Sequence, residues 1–129
     1  MIFGIGSDVV RVSRIARALE RHGERFAQRL LSEAEFAEFR RAARPAYFLA
    51  KRFAAKEAAV KAFGTGFRDG IALRDIAVGH DALGKPLLIF AAAAAQQKAK
   101  LGVGETFLSL SDDEDIALAF VVMMRSAQV

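Results

Sequence analysis

Hydrophobic residues recur along this chain with two periods, one typical of helices and one typical of strands. Across residues 9–22 they return every three or four positions, which predicts an amphipathic helix that ends or bends at Gly23, followed by a second helical piece. Ser32 and Glu35 have the spacing of a capping box, so another helix is predicted to begin near residue 33 and to end around residues 42–44.

A long central helix and several short strands complete the pattern. Pro45 suits a first helical turn, and no helix breaker follows before "GTG" at residues 64–66, which predicts one helix over residues 45–63. Short runs rich in β-branched and aromatic residues, bounded by turn residues, predict strands. These strands cover residues 1–8, 71–81, 85–91, 105–111 and 116–124. The alanine-rich stretch at residues 91–100 consists of strong helix formers.

The last predicted strand, at residues 116–124, is apolar at every position and follows the acidic turn "DDED". A strand without polar positions is normally covered on both faces. We expect helices to cover one face, and a neighbouring subunit is a candidate for the other.

Length and composition restrict the possible chemistry. The 129 residues suit one domain, spanning residues 1–129. The chain has no cysteine and only two histidines, so any bound metal would be held by oxygen atoms. The longest apolar run is much shorter than the roughly 20 residues of a membrane span, and the first residues do not form a basic leader. We therefore expect a soluble cytoplasmic protein with no membrane partner.

Positive charge is concentrated in the first half of the chain. Residues 1–61 hold 13 Lys and Arg against 7 Asp and Glu, or +6, whereas residues 62–129 hold 6 against 8, or −2. Several arginines fall within about a third of the circumference of the first predicted helix and its continuation. They are Arg11, Arg14, Arg17, Arg21, Arg25 and Arg29. A face of one sign predicts an acidic macromolecular partner, and on charge alone nucleic acid would fit equally well.

The segment "FAAKEAAVKAFGTG" places Lys56, Glu57 and Lys61 in an otherwise apolar part of the central helix. Lys56 falls within the apolar stripe, and Glu57 and Lys61 lie side by side at its edge. A surface ion pair worth about a few tenths of a kcal/mol would explain Glu57 and Lys61, and a left-handed helix cap would explain Gly64. The alternative is a site that binds an anion.

Asp8 is the second candidate for chemistry. It follows Gly4 and Gly6 on one face of the first strand, where a carboxylate can meet Glu57 from a packed helix. Two carboxylates suit Mg²⁺, which keeps several waters and is completed by substrate phosphates. The alternative is that Asp8 caps a helix starting at Val9 or the next residue.

Three segments together resemble the holo-acyl-carrier-protein synthases, the short class of 4′-phosphopantetheinyl transferases. They are "GIGSDVVRVSRI", "FLAKRFAAKEAAVKAFGTG" and "FLSLSDDEDIALAFVV", and the likeness runs from Met1 to about Arg125. The resemblance implies the α+β 4′-phosphopantetheinyl transferase fold, with a small, mostly antiparallel sheet packed against a long central helix and further helices. It also implies a homotrimer whose active sites are shared between neighbouring subunits.

The implied reaction, a step of fatty acid biosynthesis, moves 4′-phosphopantetheine from coenzyme A to a serine of apo acyl carrier protein, releases adenosine 3′,5′-bisphosphate and requires Mg²⁺. A transferase for other carrier domains, such as those of polyketide assembly, is a related alternative. A small basic nucleic-acid-binding module is the alternative from another class. It gives no account of Asp8 and Glu57, so we expect no nucleic-acid partner.

The resemblance also implies roles for individual residues. Asp8 and Glu57 match the magnesium ligands and, with Lys61 beside the diphosphate, the catalytic set. The residues implied at coenzyme A are Arg52, Lys56, Lys61, Gly64, Lys85, Pro86 and Ser111. The basic residues implied to dock the acidic carrier protein are Arg14, Arg21 and Arg25. The base that accepts the serine proton is either Glu57 or water, because the capping box already explains Glu35.

Asp112 departs from the family pattern, which most often has histidine directly after "SLS". An aspartate there would repel the phosphates of coenzyme A. Ser111 and nearby backbone amides are the alternatives for that contact.

Overall fold

The computed structural model describes residues 1–67 and 70–127. Within these ranges the helices and strands follow one another in a mixed order, and a short 3-10 turn, Leu73–Asp75, precedes the second strand. The elements are β1 (Ile2–Arg11), α1 (Val12–His22), α2 (Glu24–Leu30), α3 (Glu33–Arg40), α4 (Pro45–Phe63), β2 (Ile76–His80), β3 (Pro86–Phe90), α5 (Ala92–Leu101), β4 (Val103–Asp113) and β5 (Ile116–Arg125).

The strands form two antiparallel sheets. Three strands pair in the order β1-β5-β4, and β2 pairs with β3 as a separate hairpin. Helix α4 packs across one face of the three-stranded sheet, where Ala117, Ala119, Val121 and Met123 of β5 are fully buried. Because Ala117 and Ala119 have small side chains, the helix can lie close to this strand. The predicted central helix, the predicted α+β class and the helical cover on one face of β5 are confirmed.

The first strand is longer than predicted. It continues through Arg11, because its last residues pair with β5, and α1 therefore begins at Val12 rather than near Val9. Asp8 lies inside the strand opposite Ala119. The alternative that Asp8 caps α1 is wrong, since the helix starts four residues later.

The capping box before α3 is confirmed, and α3 ends at Arg40 instead of at residues 42–44. The first helix does not carry on past Gly23, where φ is +62° and a new helix, α2, begins. Arg25 and Arg29 therefore belong to a different helix from Arg14.

Backbone meets backbone where β1 crosses α4. A Cβ atom added at Gly6 would lie 2.0 Å from the carbonyl oxygen of Ala58, and one added at Gly4 would lie 2.2 Å from that of Ala62. Real side chains do not tolerate such distances, so only glycine fits at either position. The close approach predicted for this strand is confirmed, and it brings the following inward-facing residue, Asp8, to the side of α4.

The opposite face of the sheet is apolar and exposed, and we call it the outer face. It is not covered by the described part of the chain. Its large apolar residues are Ile5, Val9, Phe107, Leu118 and Phe120, with exposures between 37% and 59%. None of the helices in residues 1–67 and 70–127 has a stretch long and apolar enough to cross a membrane.

Candidate active site

Asp8 and Lys61 come together from β1 and the last turn of α4. The Lys61 ammonium donates to Asp8 Oδ1 at 3.1 Å and to the carbonyl of Ser7 at 3.0 Å. The Asp8 side chain is 15% exposed and that of Lys61 53%, so the pair lies at the surface with its acid end sheltered. Two of the predicted site residues, 53 positions apart, are therefore in direct contact.

Glu57 lies one helical turn before Lys61 and is partly buried. Loss of hydration raises the pKa of its carboxyl group, the negative charge of Asp8 raises it further, and Lys61 opposes both effects. Glu57 and Asp8 are thus close enough to repel each other. A cation between two such carboxylates would relieve that repulsion.

The donor set at this place fits a magnesium ion. Oxygen ligands suit Mg²⁺, and two carboxylates are enough when water and substrate phosphates supply the rest. Nowhere in residues 1–67 and 70–127 do three or more His, Asp or Glu side chains form a cluster that could hold a metal by themselves. Asp8 and Glu57 would therefore need further oxygen ligands from water or a substrate to hold such an ion.

Gly64 ends α4 in the left-handed conformation, with φ +84°, and its N–H group bonds to the carbonyls of Val60 and Lys61. The helix-cap explanation of Gly64 is confirmed. This cap stops the helix one turn after Lys61 and leaves the Lys61 ammonium near the helix end.

Lys56 does not share the surface with its neighbour Glu57. Its side chain is fully buried, and its ammonium donates to Glu35 Oε1 at 2.7 Å and to the carbonyl of Ile76. Burial lowers the pKa of Lys56, while Glu35 opposes this shift. The ammonium is not free for the direct contact with coenzyme A that the resemblance implied, so its role in this structure is internal.

Glu35 joins three elements, which the sequence analysis missed. Its Oε1 atom accepts from the Ser32 N–H group at 2.9 Å as well as from Lys56, and its Oε2 atom accepts from the Val78 N–H group at 2.9 Å. Oε2 also lies 3.5 Å from the guanidinium of Arg52. The capping box already accounted for an acid at position 35, so the sequence pattern offered no reason to predict contacts of Glu35 with α4 and β2.

Arg52 is also buried away from Asp8 and Lys61. Its guanidinium lies between Glu35 and Glu38, at 3.5 and 3.7 Å, and stacks over the ring of Phe48. Desolvation lowers the pKa of Arg52, opposed by the two glutamates. Its Nε atom is buried and has no hydrogen-bond partner among the described residues. Arg52 is therefore engaged by acids at the position where a phosphate contact was expected.

The remaining residues implied at coenzyme A lie on other elements. The Lys85 N–H group donates to Asp81 in the β2–β3 turn, and Pro86 begins β3. Ser111 pairs with Leu118 and so lies on the outer face, whereas Asp8 lies on the face toward α4. Within the described part of one chain, Lys85, Pro86 and Ser111 therefore do not lie beside Asp8 and Glu57.

Asp112 has a partner that the sequence analysis missed. The Lys51 ammonium on α4 lies 3.7 Å from Asp112 Oδ1, and both side chains are about one-third exposed. The repulsion expected between Asp112 and a bound phosphate is therefore offset by a positive charge beside it. The aspartate that stands in place of the family's usual histidine is thus paired with a lysine on α4.

The arginines predicted to dock a partner are exposed. Arg14 and Arg21 lie on α1, and Arg25 lies at the start of α2. An apolar pocket of about 160 Å³ opens next to Arg14 and is lined mainly by Ile15, Phe26 and Phe53. A positive surface beside an apolar pocket is typical of a protein docking site.

Comparison with known proteins agrees with the fold. The family model of the 4′-phosphopantetheinyl transferase superfamily matches residues 4–121, which places the chain in this class of transferases. A curated relative from Halorhodospira halophila, holo-[acyl-carrier-protein] synthase, is 58% identical over 124 residues, 96% of this chain and 98% of the relative.

Solved structures agree as well. The crystal structure of holo-[acyl-carrier-protein] synthase from Neisseria meningitidis has a TM-score of 0.92 and 47% identity, covering 97% of this chain and 100% of that one. A Bacillus anthracis structure in complex with CoA (3′,5′-ADP) has a TM-score of 0.80 and 36% identity, covering 98% and 99%. The chain belongs to the holo-[acyl-carrier-protein] synthase family and is a phosphopantetheinyl transferase, which confirms the resemblance of the three segments.

Proposed function

We propose that this enzyme transfers 4′-phosphopantetheine from coenzyme A to a serine hydroxyl of apo acyl carrier protein and releases adenosine 3′,5′-bisphosphate. The observation that carries the proposal is the meeting of Asp8, Glu57 and Lys61 where β1 crosses α4. The relatives are named for this carrier-protein reaction, and the Bacillus anthracis relative is described in complex with CoA (3′,5′-ADP).

We further propose that Asp8 and Glu57 hold Mg²⁺. When bound, the ion supplies Lewis-acid stabilisation of the phosphoryl oxygens. The half-exposed Lys61 ammonium, already beside Asp8, offers a second positive charge to the diphosphate. Charge that develops on the leaving oxygen is stabilised best by groups fixed in place beforehand, and the hydrogen bonds of Lys61 to Asp8 and Ser7 fix it.

The bond changes are simple to state. The serine oxygen bonds to the β-phosphorus, the bond from that phosphorus to the bridging oxygen breaks, and the serine proton goes to a base. Two acceptors are compatible with the site: Glu57, whose raised pKa makes it a better base, and water.

The proposed reaction is tested directly by the mass of the carrier. Incubation of the enzyme with apo acyl carrier protein, coenzyme A and Mg²⁺ is expected to add the mass of phosphopantetheine to the carrier. This mass increase should no longer occur when a chelator removes the Mg²⁺. An unmodified carrier would overturn the proposed function.

We propose that the arginines of α1 and α2 dock the acidic carrier, with the adjacent pocket taking an apolar side chain. Reversing two charges, Arg14→Glu with Arg21→Glu, is expected to raise KM for carrier protein by about 10- to 100-fold, because attraction becomes repulsion. KM for coenzyme A should change by less than about twofold, since neither arginine forms a hydrogen bond or ion pair with Asp8, Glu57 or Lys61 among the described residues. Steady-state kinetics with each substrate varied separately measures both values.

The control is Lys100→Glu, a single exposed charge reversal on α5. It should leave both KM values near those of the parent enzyme. Equal increases for carrier and coenzyme A in the double variant would show that the arginines do not dock the carrier.

We infer that the outer face of the sheet is buried between copies of the chain in a homotrimer. An exposed apolar face of this kind marks an interaction surface, and the family resemblance supplies the number three. Sedimentation should give about three times the chain mass of 14.0 kDa. Phe120→Asp, at the centre of this face, is expected to yield monomer, whereas Ala37→Asp on α3 should not. A monomeric parent protein at micromolar concentration would contradict the inference.

A further inference from the structure

Helix α1, which carries Arg14 and Arg21, begins without a cap of its own. Its N-cap residue, Arg11, makes no side-chain capping bond, and the first turn contains no acidic residue. The first N–H groups of a helix have no partner within the helix and need acceptors from elsewhere. The acceptors in this structure come from the far end of the chain.

Asp115, in the turn between β4 and β5, supplies these acceptors. Its Oδ1 atom accepts from the Ser13 N–H group and its Oδ2 atom from the Ser13 hydroxyl, each at 2.8 Å. The Asp115 carbonyl accepts from the Val12 N–H group, also at 2.8 Å. One residue, 102 positions from Ser13, therefore closes the first turn of α1 with three hydrogen bonds.

The carboxylate of Asp115 is held in its charged form. Its two hydrogen bonds from Ser13 lower its pKa most, desolvation opposes them, and the guanidinium groups of Arg11 and Arg17 each lower the pKa by a smaller amount. A charged acceptor is also favourable at the positive end of a helix. Asp115 thus stays ionised at neutral pH.

The turn that carries Asp115 is itself attached to α4. The Tyr47 hydroxyl donates to the carbonyl of Glu114, which has a positive φ of +49°. Lys51 pairs with Asp112 on the same hairpin. The hairpin therefore connects the first turn of α1 with the helix that carries Glu57 and Lys61.

We propose that Asp115 is a positioning residue for carrier-protein docking: it fixes the first turn of α1, and with it Arg14, relative to the Glu57 and Lys61 site. The inference rests on the proposed function, because it assumes that α1 receives the carrier. Asp115 does not contact Asp8, Glu57 or Lys61 in the described structure, so the step it affects is docking.

Charge and position predict opposite results for Asp115→Ala. If only charge mattered, removing an acid next to the arginines would improve binding of an acidic carrier and lower its KM. If Asp115 positions α1, the same change raises KM for carrier by about 5- to 10-fold, the scale of lost capping and charged hydrogen bonds. KM for coenzyme A should not change.

Two matched variants separate the causes. Asp113→Ala removes the same charge from the same hairpin at an exposed residue that forms no hydrogen bond or ion pair with α1 among the described residues, and it should leave KM for carrier unchanged or lower. Asp115→Asn keeps an acceptor without the charge, and it should restore much of the docking. Hydrogen exchange at the Ser13 amide, which loses its side-chain acceptor, should accelerate in Asp115→Ala and not in Asp113→Ala, whereas the Val12 amide keeps its main-chain acceptor.

The outcomes are distinguishable. If the parent enzyme does not modify the carrier, the proposed function fails and the inference fails with it. If the parent modifies the carrier but Asp115→Ala shows an unchanged or lower KM for carrier, only the inference is overturned. Ser13→Ala provides the same test from the other side of the contact, with a smaller increase expected because one of the three bonds is lost.

Discussion

Replacing Glu57 with glutamine is expected to reduce phosphopantetheine transfer by about a thousand-fold or more while the fold stays intact. The amide has the shape of the acid but lacks the charge that a divalent ion requires. Stability should not fall, because the change removes a charge that is disfavoured by burial and by Asp8. Carrier modification followed by mass spectrometry measures the rate, and circular dichroism checks the fold. Glu33→Gln, an exposed acid on α3, is the control.

The same variant tests the metal site without turnover. Titration with Mn²⁺, followed by electron paramagnetic resonance, should show binding by the parent and little by Glu57→Gln. Because the pKa of Glu57 is raised, its carboxylate takes up a proton at a higher pH than an ordinary glutamate does. Binding of Mn²⁺ by the parent should therefore weaken as the pH falls through the raised pKa of Glu57. A variant that turns over within a few-fold of the parent would show that Glu57 does not hold the ion.

Removing Glu35 alone is expected to destabilise the protein by about 3–5 kcal/mol. Glu35 is 1% exposed and Lys56 is 0% exposed, so Glu35→Ala leaves a buried ammonium without its acid. The same change leaves Arg52 with Glu38 as its remaining acidic neighbour. Urea denaturation measures the free energy of unfolding.

The control for this loss is Glu33→Gln, an exposed acid on the same helix, which should shift stability by no more than about 0.5 kcal/mol. A double variant, Glu35→Gln with Lys56→Met, removes both charges together. It should be less destabilised than the sum of the two single variants, because neither charge is left alone in the interior. Additive losses would show that the two groups do not depend on each other.

The sequence predicts those features that depend on neighbours along the chain. Pro45 and Gly64 mark the ends of α4, and Ser32 marks the start of α3, because a cap needs only the residues beside it. The glycines of β1 predict the close approach to α4, and Asp8 and Glu57 are recognisable as carboxylates in an apolar setting. These are the parts of the site with a local signal.

The features that were missed depend on contacts between distant residues. The end of β1 is decided by pairing with β5, more than a hundred residues away, and the cap of α1 comes from Asp115. Lys56 looks the same in sequence whether its ammonium reaches solvent or a buried acid, and only the packing of α3 and β2 against α4 decides between these. Local pattern carries no information about such partners.

The contact of the β1 main chain with α4 bears on how this family can diverge. Since main-chain atoms, and not interlocking side chains, set the gap between Asp8 and Glu57, the apolar interior can change in size elsewhere while the two acids keep their spacing. A single methyl group at position 6 would force strand and helix apart where the proposed metal site depends on their separation.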